Sequence, residues 1–312
     1  MKIIFMGTPD FALPAFQGLL DSRHEVIAAV TQPDRPKGRG RTIESSPIKR
    51  EALRHDIPVF QPENVREENF KKNLTALRPD IIVVVAFGQI IPKGILGLPS
   101  FGCVNLHASL LPKYRGAAPM EWALIKGETR TGNTTMLMDE GLDSGDILLQ
   151  EEIMIPSGAD VTFLYERLSK SGARLVLETL EKLEAGKITP RPQNPEEVTY
   201  APRLKKEDGL IRWENKNTDI VNMVRGLVLR PGACAFLNGN RIRVWKTEIS
   251  GLDMPAVAPG QIVKIDRGGI HVSAKEGYVL LREIQMEGKK RMDAFQFVQG
   301  HKLEIGEKFT KS

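Results

Sequence analysis

Apolar runs and amphipathic stretches alternate along the first 186 residues. The runs at 25–30 and 80–88 are almost continuously apolar, which is typical of parallel strands covered on both faces. The stretches at 64–79 and 161–186 repeat apolar residues at helical spacing, and Gly186 is a suitable C-terminal cap. Strands that alternate with helices predict an α/β domain of Rossmann-like type, in which a mainly parallel sheet has helices on both faces.

The pattern changes near residue 189. Residues 189–208 are rich in proline and have no apolar periodicity, so we interpret them as a linker. Residues 209–312 contain short alternating strands and turn-forming Asn-Gly and Gly-Gly pairs, with a single helix predicted at 217–227. This pattern favours a small OB-like β-barrel of five or six strands. The predicted organisation is an α/β domain at 1–188, the linker and the barrel.

The net charge of +5 is unevenly distributed. Residues 205–312 carry 19 Lys and Arg against 13 Asp and Glu, a net charge of +6, whereas residues 1–204 carry 25 against 26. A basic island lies within the front part, with six cations and one anion between Arg35 and Arg50. A basic loop together with a basic C-terminal part indicates a polyanionic partner, most simply a nucleic acid. The alternative is that a charge of this size only maintains solubility.

Several classes of protein are disfavoured by what the sequence lacks. No apolar run approaches the roughly 18 residues that a membrane-spanning helix needs, and MKIIFMG is too short for a signal-peptide core. The two cysteines, Cys103 and Cys234, form no motif, so we expect a protein of the reducing cytoplasm with no membrane partner. The five histidines form no ligand pair, and GxGxxG, Walker A and GxSxG motifs are missing. Metal, dinucleotide, nucleoside triphosphate and serine-hydrolase sites are therefore not expected.

Polar residues occupy alternate positions in the stretch GCVNLHASLLPKYRG, residues 102–116. Asn105, His107 and Ser109 therefore point to one side of the predicted strand, and the apolar residues between them point to the other. Ligands of open parallel sheets bind outside the carboxyl ends of the strands. The glycine-rich loop MDEGLDSGD is expected to bring Asp143 to the same edge of the sheet.

An asparagine, a histidine and an aspartate together fit acyl transfer to an amine. Histidine exchanges protons near neutral pH, and a neighbouring carboxylate favours its charged form. An asparagine NH₂ group can donate to a developing oxyanion, and no side-chain nucleophile is required. The other interpretation is that each residue is a cap, a turn former or a satisfied hydrogen-bond partner.

The chain resembles the folate-dependent formyltransferases in two stretches around these residues, GCVNLHASLLPKYRGAAP and MDEGLDSGDIL. The resemblance extends over essentially the whole chain, to the branch that acts on methionyl-tRNA, through IIFMGTPDFALPAF, TQPDRPKGRGR and RPDIIVVVAFGQIIPKGIL. It implies transfer of the formyl group of 10-formyltetrahydrofolate to the α-amino group of methionine on initiator methionyl-tRNA, for translation initiation and without a metal. It also implies that residues 1–188 are the catalytic domain and that the barrel at 209–312 binds tRNA.

The resemblance assigns roles to individual residues. His107, protonated with help from Asp143, and Asn105 would stabilise the oxyanion, while Asp143 would help to move the proton off the attacking amine. Two short loops would border the folate, with the residues Ser109, Leu110, Leu111, Pro112, Phe87, Gly88 and Ile90. Cations of the basic loop and the linker would contact the tRNA, namely Arg35, Lys37, Arg39, Arg41, Lys205 and Lys206. Arg39, between two glycines, is the first choice for a specific contact.

Two alternatives remain open at this point. One is another formyl-folate enzyme with a similar core, such as a sugar-nucleotide formyltransferase or a formyltetrahydrofolate hydrolase, against which the basic loop at 33–41 argues. The other is an RNA-binding protein without catalysis, against which the presence of Asn105, His107 and Asp143 argues. We expect the protein to be a monomer.

Overall fold

The computed structural model describes residues 1–37 and 42–311, and this part of the chain divides into two compact units. The first unit contains residues 1–116, 131–153 and 165–200. The second unit contains residues 117–130, 154–164 and 201–312. Two segments that precede the predicted linker therefore belong to the second unit. The domain boundaries proposed from the sequence, at residues 188 and 209, stay predictions.

Strands and helices alternate along the first part of the chain, as the hydrophobic pattern predicts. In chain order the elements are β1 (Lys2–Gly7), α1 (Leu13–Leu20), β2 (Glu25–Val30), β3 (Arg35–Lys37), β4 (Thr42–Glu44), α2 (Pro47–Arg54), β5 (Val59–Phe60), α3 (Glu68–Leu77), β6 (Ile81–Val85), α4 (Lys93–Leu96), β7 (Cys103–His107), α5 (Pro119–Ile125), β8 (Arg130–Leu137), β9 (Ile147–Met154) and α6 (Val161–Glu184). Strands β3 and β4 pair with each other on the two flanks of the basic loop. Among the described residues, no helix combines the length and the apolar character that crossing a membrane would need.

Seven strands of the described chain form one sheet in the order β5-β2-β1-β6-β7-β8-β9. The pairs from β5 to β7 are parallel, and β8 runs antiparallel to β7. The predicted mainly parallel sheet is confirmed. All five residues of β6 are buried, which explains its continuous apolar run. Burial of each such side chain stabilises the fold by about 1.5–3 kcal/mol relative to exposure.

Helices cover both faces of this sheet. On one face Phe70 and Leu74 of α3 pack with Cys103 of β7 in a single apolar cluster. On the other face α6 lies against β7 at Gly172, where an added Cβ would be 2.7 Å from Leu106 Cδ2. Because side chains alternate along a strand, Asn105 and His107 share the side of Cys103. The sheet therefore presents both polar residues on the face opposite α6, beyond the end of the apolar cluster.

The second unit is built around an antiparallel sheet. Its elements after residue 201 are α7 (Asn217–Gly226), β10 (Ala233–Leu237), β11 (Asn240–Ser250), β12 (Ile262–Asp266), β13 (Gly269–Ser273), β14 (Tyr278–Met286), β15 (Met292–Asp293) and α8 (Ala294–His301). The strand order in the described residues is β10-β11-β14-β13-β12, with β15 paired to β14. Helix α5 packs on α7 in this unit, since an added Cβ at Gly226 would be 3.0 Å from Glu121 O and Ile125 Cγ1.

Residues 306–310 close the sheet into a barrel. Thr310 exchanges two backbone hydrogen bonds with Phe236 of β10, at 2.8 and 2.9 Å. Phe309 N donates to Gly260 O, and Ile262 N of β12 donates to Glu307 O, both at 2.8 Å. The terminal segment therefore lies between the two edge strands and satisfies backbone groups of both, which is how a barrel removes its exposed edges.

The expectation of a single helix in the barrel domain is wrong. Helix α8 is a second one, and Asp293 caps it by accepting from the backbone N–H groups of Phe295 and Gln296. Phe297 buries its ring in the barrel core. The sequence reading missed this helix because its eight residues span only about two turns, include two aromatic residues and end near Gly300.

A chain of polar contacts crosses three strands of the barrel. Ser250 Oγ lies 2.8 Å from His271 Nδ1, and His271 Nε2–H donates to Asp266 Oδ2 at 3.1 Å. Lys264 Nζ lies 2.8 Å from the same carboxylate oxygen. Its hydrogen bond is the main cause that lowers the pKa of Asp266 from 3.8 to about 2.

This lowered pKa predicts an acid-dependent contribution to stability. Ionised Asp266 stabilises the fold above its unfolded pKa, near pH 4, and the contribution is lost as the pH falls through about 2. Asp266→Asn is therefore expected to destabilise the protein at pH 7 and to approach the parent as the pH falls from 4 to 2. Urea unfolding of both proteins across this range measures the effect, with the exposed Asp253→Asn as the matched control. A stability difference that does not change with pH would contradict the assignment.

Candidate active site

The polar end of β7 meets the loop between β8 and β9. His107 Nδ1 lies 3.7 Å from Asp143 Oδ2, and both side chains are largely buried. The other ring nitrogen, Nε2, is 2.9 Å from the backbone oxygen of Tyr114. A carbonyl oxygen only accepts, so Nε2 carries a proton. Nδ1 is then the ring nitrogen that faces the carboxylate and is free to gain or give a proton.

The loop that carries Asp143 has a backbone built around glycine. Asp143 has a φ of +49°, in the left-handed region, and Gly116 N donates to its Oδ2 at 2.8 Å. At Gly145 an added Cβ would lie 1.7 Å from Leu137 O, so any other residue would displace the loop. The carboxylate of Asp139 accepts from loop residues and caps the turn. The Asp143 carboxylate is therefore held in one position beside His107.

Asn105 lies two residues before His107 on the same side of β7. Its side chain is 8 % exposed. Its carboxamide makes no side-chain hydrogen bond within the described part of the chain. Both of its polar atoms keep some exposure to solvent. A carboxamide that is nearly buried and not bonded to the protein can donate to a substrate oxygen at this edge of the sheet.

The loop after β7 departs from the predicted row of polar side chains. Strand β7 ends at His107, and Ser109 is fully buried with its Oγ–H donated to Lys113 O at 2.6 Å. The predicted strand is therefore two residues too long, and the alternation along β7 does not extend to Ser109. Thr134 of β8 fixes this loop by donating to Ser109 O and accepting from Leu111 N.

The residues predicted to border folate fall into two loops of this unit. Leu111 is buried in a small cluster with Met136 and Ile147, Pro112 is buried, and Leu110 is half-buried. Phe87 is buried, whereas Gly88 is exposed with a φ of +90° and Ile90 is 72 % exposed. These loops follow the carboxyl ends of β6 and β7. Their contact with a ligand stays a prediction.

The cations predicted to meet tRNA are placed only in part. Arg35 is exposed in β3 and pairs with the exposed Glu63 at 3.7 Å. Lys37 is the last residue of β3, and Arg39 and Arg41 lie outside the described residues. Lys205 and Lys206, in the other unit, are exposed at the start of a short 3-10 helix. Their contacts with tRNA stay predictions.

Sequence reasoning missed the residues that hold His107 and Asp143 in place. Tyr114 and Gly116, within the quoted motif, act through backbone atoms. Gln193, in the predicted linker, donates from Nε2 to Asp143 O and Gly145 O, both at 2.8 Å. The first two act through groups that every residue type carries, and Gln193 stands in a stretch without periodicity. No residue pattern therefore marks them.

Cysteine and metal chemistry find little support at this site. Burial raises the pKa of the Cys103 thiol to about 12, so it is protonated and unreactive near neutral pH. Within the described residues, no group of three or more His, Cys, Asp and Glu side chains is arranged to hold a metal ion. The prediction that the protein needs no metal stays a prediction.

The fold matches known structures over nearly the whole chain. An N-formyltransferase from Helicobacter canadensis, solved with folinic acid and dTDP-3-aminofucose, superimposes with a TM-score of 0.67, at 16% identity over 92% of this chain and 99% of that one. HypX from Aquifex aeolicus in complex with tetrahydrofolic acid gives a TM-score of 0.64 at 18% identity. It covers 96% of this chain, which spans only 47% of HypX. At these identities the likeness establishes the fold alone.

The family models agree with the fold. The model "Formyl transferase" matches residues 1–180, and "Formyl transferase, C-terminal domain" matches residues 203–302. The chain is therefore an enzyme of the formyl transferase class.

Close relatives give the particular family. Methionyl-tRNA formyltransferase of Syntrophus aciditrophicus is 49% identical over 98% of both chains, and that of Geobacter sulfurreducens is 48% identical over 98% of this chain and 96% of its own. The chain belongs to the methionyl-tRNA formyltransferase family. The resemblance noted in the sequence motifs is confirmed, as is the prediction of a formyl-transferring enzyme.

Proposed function

We propose that this chain transfers the formyl group of 10-formyltetrahydrofolate to the α-amino group of methionine on initiator methionyl-tRNA. The observation that carries the proposal is the meeting of His107 and Asp143 beside the unbonded carboxamide of Asn105. The three side chains offer a proton acceptor and oxyanion donors, but no nucleophile. Such a site suits direct attack by a substrate amine better than it suits an acyl-enzyme route.

The chemistry divides between the three residues. The amine nitrogen attacks the formyl carbon, and the carbonyl oxygen gains negative charge as a C–N bond forms. Asn105 Nδ2–H and the Nδ1–H of protonated His107, which lies beside Asp143, stabilise that oxygen. Asp143, directly or through a water, accepts the proton that the amine loses. The bond from the carbon to N10 of the folate then breaks, and N10 receives the proton taken up by Asp143, so that the carboxylate is regenerated.

The folate would bind along the two loops after β6 and β7. Exposed Gly88, with its backbone open to solvent, offers peptide groups to a pterin ring, and exposed Ile90 offers apolar surface. Leu110, Leu111 and Pro112 would line the other side. Solved relatives support this proposal, since proteins with this fold form complexes with folinic acid and tetrahydrofolic acid.

The barrel carries a cationic face suited to RNA phosphates. The Arg243 guanidinium stacks on Trp245 at 3.8 Å from the ring centroid, and that of Arg291 lies at 4.7 Å. Burial lowers the pKa of Arg243, and the charges of Arg241 and Arg291 add to the effect. Within the described residues, the carboxylate of Glu283 pairs with Arg291 alone in this group of cations, and planar guanidinium groups match phosphate oxygens. We assign this face, with exposed Lys290, to the body of the tRNA.

Removal of two exposed cations from this face predicts a specific loss of affinity. Arg241→Gln combined with Lys290→Gln is expected to weaken binding of methionyl-tRNA several-fold at low salt and to reduce the salt slope by about 1 per lost phosphate contact. The turnover number at saturating tRNA should not change. Filter binding at several salt concentrations measures the effect, and Lys182→Gln on α6 is the control. Equal slopes for the parent and the double variant would contradict the assignment.

The cellular setting follows from the substrate. Initiator tRNA is charged and used where translation occurs, so we propose that the enzyme acts in the cytoplasm. The monomeric state stays a prediction, which light scattering of the purified protein tests directly.

The function is tested by offering labelled 10-formyltetrahydrofolate with three acceptors in parallel: initiator methionyl-tRNA, elongator methionyl-tRNA and none. We expect label on the initiator species, with little on the elongator species. Release of free formate without any acceptor would indicate a hydrolase instead. Labelling of an amino sugar nucleotide, added as a fourth arm, in preference to tRNA would overturn the choice of substrate.

A further inference from the structure

We infer that Gln193 is a positioning residue that holds Asp143 in its catalytic orientation. The inference rests on the proposed role of Asp143. Gln193 lies 50 residues from Asp143 along the chain, within the segment that the sequence reading treats as a linker. In the first unit this segment folds back onto the active-site loop.

The Gln193 carboxamide uses its full hydrogen-bonding capacity. Its Nε2 donates to Asp143 O and Gly145 O, each at 2.8 Å. Its Oε1 accepts from Arg115 Nε at 3.0 Å and Nη2 at 2.7 Å. An NH₂ group has two protons and the oxygen has two lone pairs, so all four positions are taken. A flipped amide would place its oxygen against two carbonyl oxygens, so only one orientation satisfies the network.

Gln193 binds the carbonyl of Asp143 itself and that of Gly145, two residues later in the same loop. Asp143 has a left-handed backbone, which costs energy for a residue with a Cβ, so surrounding contacts must maintain it. Gln193 fixes the peptide that follows Asp143 and the one that follows Gly145. Gly116 N fixes the carboxylate itself. Backbone and side chain of Asp143 are therefore restrained from opposite sides.

The same segment also fixes the backbone of Tyr114 and Arg115, next to the contact that orients His107. Thr199 Oγ1 accepts from Tyr114 N, and Thr199 O accepts from Arg115 N, both at 2.9 Å. Tyr114 O in turn accepts from His107 Nε2–H. Arg115 thus connects the two sets of contacts. Its backbone follows Tyr114, which binds His107, and its guanidinium donates to Gln193. Gln193 and Thr199 therefore set the geometry of His107 and Asp143 without touching the reacting atoms.

Gln193→Glu isolates this role. The substitution keeps the size and an acceptor for Arg115, but it replaces the two donors with an oxygen that repels both carbonyls. We expect the single-turnover rate of formyl transfer to fall about 10- to 100-fold, because small misplacement of a catalytic group has effects of that order. The KM values for both substrates should change by less than about threefold, since no binding contact is removed. Glu197→Gln, exposed in the same segment, is the matched control and should match the parent.

A double-mutant cycle separates positioning from a general loss of structure. In an Asp143→Asn background, Gln193→Glu should lower the rate by less than about threefold further, since its effect is carried by Asp143. A full additional loss would show that Gln193 acts elsewhere and would overturn the inference. Gln193→Asn, which is too short to reach both carbonyls, serves as the second variant, so that an unstable Gln193→Glu does not leave the question unanswered. Its melting temperature and folate affinity are measured with the rate.

The possible failures are distinguishable. An Asp143→Asn protein with near-parental rate would refute the proposed function, whatever Gln193 does. An inactive Asp143→Asn protein together with a fully active Gln193→Glu protein would refute only the positioning role.

Discussion

Asp143→Asn is expected to lower the rate of formyl transfer about 10²- to 10⁴-fold, the range found when a general acid or base is removed. The substitution keeps the shape of the side chain and the acceptor for Gly116 N. It removes the charge that faces His107 Nδ1 across 3.7 Å and, with it, the proposed base for the proton of the amine. Single-turnover kinetics with bound methionyl-tRNA measure the chemical step, apart from binding and product release.

The control for this variant is Glu140→Gln, the same chemical change on the same loop. Within the described residues Glu140 forms an exposed ion pair with Lys93, which contributes little to stability. The two variants should melt at similar temperatures and bind folate equally. Near-parental transfer by Asp143→Asn would remove the carboxylate from the mechanism, and equal losses in both variants would indicate damage to the loop rather than to the chemistry.

Asn105→Asp should reduce the rate about 10²- to 10³-fold or more, since loss of one oxyanion donor has that effect and the new carboxylate adds repulsion. The side chain is nearly buried and lacks partners in the described part of the chain, so the added charge is poorly solvated. The pH dependence is informative here. Protonation of the new carboxyl at low pH restores a donor, so the deficit should shrink as the pH is lowered.

Asn73→Asp on the exposed face of α3 is the matched control for the amide-to-acid change. It should retain parental rates at each pH. If Asn105→Asp transferred formyl as fast as this control, the oxyanion would have to be stabilised by other groups. Binding of 10-formyltetrahydrofolate, followed by tryptophan fluorescence or calorimetry, shows whether the variant site still forms.

The catalytic candidates could be predicted because their signal is local. Asn105 and His107 are two residues apart on a strand, and a period of two places them on one side whatever the rest of the fold does. Asp143 lies between glycines in the stretch MDEGLDSGD, which indicates a tight loop. Ser109 shows the limit of the same argument, because the rule of alternation fails where the strand ends. No periodicity reveals that β7 stops at His107.

The contacts that support the catalytic candidates could not be predicted, because they join residues that are far apart in the sequence. Gln193 meets Arg115 across 78 positions of the chain, and the contact depends on how a proline-rich segment folds back. Tyr114 acts through a carbonyl that every residue has. In the barrel, α8 is too short for a clear period, and closure by residues 306–310 depends on pairing between edges that the sequence does not mark.

The interleaved units have a consequence for how this protein can be divided. Helix α5 precedes the linker in the chain, yet it packs on α7 closely enough that Gly226 has no room for a side chain. Truncation of the chain near residue 204 would remove α7, the packing partner of α5. It would expose Leu124, which is fully buried in the intact protein. The catalytic and barrel halves are therefore not exchangeable modules. Recombination or gene fusion at the linker would have to transfer a matching α5 together with the barrel.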